Sequence, residues 1–154
     1  MNSKFSRADN HNRVSALRQD HDELRAELSR ATMDPGPIGE VAKRVAALCL
    51  PHFAQEEKTV FPVFELLPDV IEGDAPPAVL LLVSRFIARH NDLDRAHKSI
   101  ISEVDALLGA ANQEHNWEFA NFAYQLRVHE RIENEVIFPT VNLIGNYVRE
   151  RLGI

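Results

Sequence analysis

The sequence predicts an all-α protein: an antiparallel up-down-up-down four-helix bundle with a short C-terminal helical tail. Three observations predict it. Apolar residues recur at spacings of three and four in four long stretches, which is the period of a helix that buries one face. The stretches are separated by breaks that carry Pro and Gly, such as Met33-Asp34-Pro35-Gly36-Pro37 and Pro68 to Pro77. No alternating strand pattern of any length occurs. Four amphipathic helices with short connections bury their seams by packing side by side.

Each element has its own signals. Residues 1–11 are polar and read as a loose arm. The first helix runs from about Asn12 to Ala31, with seam Val14, Leu17, His21, Leu24 and Leu28. The second runs from about Ile38 to Leu67, with seam Val41, Val45, Leu48, His52 and Glu56. Pro51 inside it removes a backbone hydrogen bond and predicts a kink just before His52. The third runs from about Pro76 to Leu108, with proline in its first turn. Its seam is Val79, Val83, Phe86, His90, Leu93, His97, Ile100, Val104 and Leu107. The fourth runs from about Gln113 to Phe138, with seam Phe119, Phe122, Leu126, His129, Glu133 and Val136. Pro139 bends or ends it, and Val141 to Arg151 forms the tail.

Bulk composition excludes several function classes. The 154 residues suffice for one domain with a real core. The net charge of -6 does not suit a phosphate backbone, so no nucleic-acid partner is expected. No apolar run approaches a membrane span. The N-terminus lacks the apolar core of a signal peptide. Cys49 is the single cysteine, which rules out an internal disulfide framework and fits a reducing, cytoplasmic setting.

One eleven-residue stretch is used twice: His52 to Pro62 and His129 to Pro139. Both read His-x-x-x-Glu, an apolar residue, then Phe-Pro. Residues i and i+4 share one helix face, so each copy aims an imidazole and a carboxylate the same way. A second repeat pairs Asp20-His21-Asp22-Glu23-Leu24 with Arg89-His90-Asn91-Asp92-Leu93. Each half of the chain thus offers one His, then one His-x-x-x-Glu, which predicts a pseudo-twofold site with two similar metal positions.

Six polar residues stand where a core takes Leu or Val: His21, His52, Glu56, His90, His129 and Glu133. Burying an unpaired polar group costs about 1–3 kcal/mol, and a carboxylate more. Six of them would erase much of a stability of roughly 5–15 kcal/mol. At about 1.5 Å per residue from the loops, neighbouring members agree in depth to within roughly one turn. Four imidazoles and two carboxylates at one level suit a pair of first-row transition metals, with iron preferred for a histidine-rich N/O set; spacing leaves Mn, Zn and Co open. His97, about 10 Å along the axis from His90, reads as a core histidine or a hydrogen-bond partner of a ligand. Glu57 reads as a solvated acid or as a group that orients a ligand, and Glu130 as part of a solvated face. Asp94 reads as an extra ligand, an acceptor for an imidazole N–H or a solvated acid, the last two preferred.

On these residues the chain resembles a hemerythrin-like (HHE cation-binding) domain. The resemblance spans residues 12–145 and rests on His21, His52-x-x-x-Glu56 with Glu57 and Phe61-Pro62, His90, and His129-x-x-x-Glu133. It implies a four-helix domain, taken over 12–154, and two iron ions bridged by Glu56, Glu133 and an oxo or hydroxo group. The implied function is to bind a diatomic ligand, oxygen or nitric oxide, for sensing or stress protection. The alternatives are a di-iron redox enzyme that reduces peroxide or nitric oxide, or an iron-handling or repair protein. A sensor needs a protein partner, and a homodimer is compatible with the sequence. Two positions depart from the oxygen carriers. Asp94 stands where they have a second histidine, and Asn134 stands where they have an aspartate.

Overall fold

The structure, a computed structural model, describes residues 7–74 and 76–154, with first-helix side chains from Ala16 onward. Residues 1–6 of the expected arm, and the Val14 side chain, lie outside the described residues. The protein is all-helical, 90% helix, with no strand among the described residues. Helix α1 spans Arg7–Thr32, so residues 7–11 already belong to it. Helix α2 spans Pro37–Thr59, and two short helices follow, α3 (Phe61–Glu65) and α4 (Leu67–Glu72). Helix α5 spans Pro77–Gln113 and α6 spans Trp117–Ile132. A π-helical turn, Glu133–Ile137, joins α6 to α7 (Phe138–Leu152). No described helix is long and apolar enough to cross a membrane.

The ends follow from local chemistry. Gly36 caps α2 at φ 98°, a conformation that side-chain-bearing residues rarely adopt. Pro37 then supplies the fixed φ of the first turn. The Asn116 side chain caps α6 by accepting from the Phe119 N–H at 3.1 Å. Helix α2 continues through Pro51, whose ring lies on its exposed side.

The expectation of one second helix reaching Leu67 is corrected by a break at Val60. Pro62 and Pro68 lack the N–H that would carry the helix on, and each sits instead in the first turn of a new short helix. In the second copy of the repeat, Pro139 opens α7 in the same way. There the chain answers with a π-turn rather than a break: the Phe138 N–H donates to the Glu133 carbonyl five residues back. The wider turn moves the apolar seam. Val136, expected on it, is 53% exposed, whereas Phe138 is buried at 1%. The expected short tail is the full helix α7. Gly145 brings it close to α5, where a Cβ would stand 2.6 Å from a Val83 methyl.

Helix α5 packs against α2 and α6 and also meets α3 and α7, while α1 packs on α2 and α3. Two apolar cores result. One contains Leu28, Val45, Phe53, Ile100, Phe119 and Leu126. The other contains Phe61, Val83, Phe86, Leu93, Phe138 and Val141. Along α5 the cores divide between Leu93 and Ile100, and along α6 and the π-turn between Leu126 and Phe138. The buried residues in those gaps are His97, Glu130 and Glu133. A polar layer therefore lies between two apolar ones.

Candidate metal centre

The polar layer contains His21, His52, Glu56, His97, Glu130 and Glu133, each at most 4% exposed, with His129 at its edge. Helix α1 supplies His21, α2 supplies His52 and Glu56, and α5 supplies His97. Helix α6 supplies His129 and Glu130, and the π-turn supplies Glu133.

Two sets of donors form, and the same two carboxylates serve both. In the first, the His21 Nε2 lies 3.5 Å from Glu56 Oε2 and 3.4 Å from Glu133 Oε1. The His129 Nε2 lies 3.0 Å from that same Glu133 oxygen. In the second, Glu56 Oε1 lies 3.0 Å from His52 Nε2 and 3.4 Å from His97 Nε2. Glu133 Oε2 lies 3.2 Å from His97 Nε2 and 4.0 Å from His52 Nε2. Ligating atoms within each set of four fall within 4.8 Å of one another. Each carboxylate thus turns one oxygen to each set, the disposition of a bridge between two cations.

Three imidazoles are fixed from behind. The His21 Nδ1 donates to Glu57 at 3.1 Å, and Arg25 holds Glu57 at 2.7 Å. The His129 Nδ1 donates to Asp20 at 2.7 Å, and the His97 Nδ1 to the Asn134 amide oxygen at 2.6 Å. These acceptors place the proton on Nδ1 and leave Nε2 facing the layer. Aromatic rings set the orientation further: His21 stacks on Phe53 at 4.2 Å and His97 on Phe138 at 5.0 Å.

Burial and close opposite charges set the protonation of the layer. Burial, reinforced by the neighbouring Glu133 charge, raises Glu56 to about 8 and Glu130 to about 7. Burial lowers His52 to about 4. At His97 burial opposes the charge, but the close carboxylates of Glu133 and Glu56 prevail and raise it to about 10. At His129 burial is likewise outweighed by Asp20 and Glu133, raising it to about 11. Those imidazoles hold Glu133 ionised, well below the usual carboxylate range, against its own burial. Protons on imidazoles carry the positive charge that the acids demand, and a cation binds by displacing them.

The fit to a cation is tested by atoms without partners. Nε2 of His52, His97 and His129, both oxygens of Glu56 and Glu130, and Oε2 of Glu133 are buried and make no hydrogen bond among the described residues. Buried polar atoms are satisfied as a rule, and eight unsatisfied ones in one layer form a donor set for metal. The family model for the hemerythrin HHE cation binding domain matches residues 12–141. The chain belongs to this family. No curated protein and no solved structure matches it.

Within this hemerythrin domain, five of the six residues singled out from sequence come together: His21, His52, Glu56, His129 and Glu133. His90 enters neither set, and its place is taken by His97. His90 is half-buried beside Phe86 and Phe138, at the level of the second apolar core. Helix length explains the exchange. Helix α5 runs to Gln113, five residues past the expected Leu108. His97 then lies about 24 Å from its end and His90 about 34 Å, against about 18 Å for His129 from the start of α6.

Glu57 orients His21, one of the two readings open for it. Asp94 pairs with Lys98 at 2.8 Å on the surface and is a solvated acid. Glu130, expected on a solvated face, is buried. One signal for it was available: it stands four residues after Leu126, on the same inward stripe.

Proposed function

We propose that this hemerythrin-family chain is a non-haem di-iron protein that binds a diatomic ligand, oxygen or nitric oxide, for sensing or stress protection. The arrangement we favour is an antiparallel up-down-up-down bundle, with the iron pair between its two apolar cores. The observation that carries the reading is the split of Glu56 and Glu133, each turning one oxygen to each set of histidines. His21 and His129 would hold one ion and His52 and His97 the other, with Glu56 and Glu133 each offering one oxygen to either position. A histidine-rich N/O set favours iron, which supplies reversible electron donation to a small ligand.

The chain's own residues do the rest. Asp20, Glu57 and Asn134 hold three imidazoles in the ligating tautomer. Phe53, Phe61 and Phe138, all buried, keep bulk water from the layer. Three buried carboxylates, Glu56, Glu130 and Glu133, balance most of the charge of two divalent ions.

The test is to load the chain with ferrous iron without oxygen, record its optical spectrum, then add oxygen or nitric oxide. A stable adduct reversed by removing the gas supports the reading, whereas an unchanged spectrum or steady consumption of the gas opposes it. The ligand assignment has its own expected result. His97→Ala lowers iron from two ions per chain to one, and His90→Ala leaves two, as read by metal analysis.

A further inference from the structure

Glu130 is the most deeply buried acid whose partner is unaccounted for. It is 0% exposed, and neither of its oxygens makes a hydrogen bond among the described residues. Its nearest basic atoms are both on one side of the layer. Its Oε2 lies 3.3 Å from His97 Nε2 and 3.8 Å from His52 Nε2. Among the described residues it forms no ion pair with His21, His129, Lys or Arg. An isolated buried carboxylate is among the costliest groups a core can hold. It also sits beside Glu56 and Glu133, whose charges raise that cost.

We propose that Glu130 is a further metal ligand that serves the His52–His97 position alone, making the two positions chemically unequal. This rests on the two-metal reading above. Five donor atoms then face one position: Nε2 of His52 and His97, Oε1 of Glu56, and Oε2 of Glu133 and Glu130. Four face the other: Nε2 of His21 and His129, Oε2 of Glu56 and Oε1 of Glu133. The outer partners are unequal in the opposite sense. His21 and His129 are backed by the carboxylates of Glu57 and Asp20. His97 is backed by the neutral amide of Asn134, and the buried His52 Nδ1 has no partner among the described residues. Negative charge therefore reaches one ion directly, through Glu130, and the other through hydrogen bonds to its imidazoles. Pseudo-twofold symmetry of the motif does not extend to the metals.

The experiment is a calorimetric titration of ferrous iron, without oxygen, into chelator-stripped full-length protein. Wild type, Glu130→Gln and Glu130→Leu are compared, with circular dichroism confirming that each is folded. Wild type takes two ions. Glu130→Gln weakens one stepwise constant at least tenfold and leaves the other within about twofold. Glu130→Leu, which has no oxygen to offer, weakens that same step at least as much. A packing role alone would lower both steps together. Both variants binding two ions as wild type does, or losing both steps equally, would overturn the assignment of Glu130 while leaving the metal pair intact. Wild type failing to bind a pair would instead remove the two-metal reading, and the inference with it.

Discussion

Glu133→Ala is expected to abolish binding of both ions at once. Glu133 lies within 4.0 Å of an Nε2 of all four histidines of the layer, two through each oxygen. Loss of an imidazole that faces one set, such as His129, is expected to strip one position; loss of Glu133, which faces both, is expected to strip both. Removing an outer partner of a ligand typically costs 10–100-fold in metal affinity, so a bridging ligand costs at least about 100-fold at each position. The metal-free protein suffers too, because Glu133 is the acid that balances the charged His97 and His129. Breaking a buried pair by removing one partner costs about 3–5 kcal/mol. Urea unfolding of the metal-free variant against metal-free wild type measures that loss. A titration with ferrous iron measures the other, and wild-type affinity at either position would contradict the bridging role.

Stripping the metal from wild type is expected to produce the second largest change. Ligands that bind only the folded state stabilise it by mass action, by about 4 kcal/mol when free metal stands at about 1,000 times Kd. For a chain of this length that corresponds to a melting temperature lower by on the order of 10 °C per ion removed. The metal-free chain is expected to fold still, with protons on His97 and His129 partly standing in for the cations. Calorimetric scans of the loaded and stripped chain read the difference directly. Coincident transitions would show that the polar layer needs no cation.

Most of the fold was legible because helical period is a long-range signal repeated many times. The four long seams and the proline breaks needed only counting. The grouping of candidate donors was legible where two of them share one helix face, since His52-x-x-x-Glu56 and His129-x-x-x-Glu133 fix their own relative geometry. It was illegible where a choice depended on another helix. His90 and His97 lie two turns apart on one seam, so period cannot rank them; only the true end of α5, five residues beyond the apparent one, does so. Glu130 was hidden by its type, because a glutamate beside a histidine reads as solvent-facing until packing is known. The π-turn was hidden for a different reason. It inserts no unusual residue, yet it shifts the seam from Val136 to Phe138 and so sets which side chains beyond Glu133 are buried.

The most direct measurement is the number of ferrous ions bound per chain by chelator-stripped wild-type protein, read by calorimetric titration and confirmed by elemental analysis. A layer of four imidazoles sharing two split carboxylates predicts two. A single ion, or none, would contradict it.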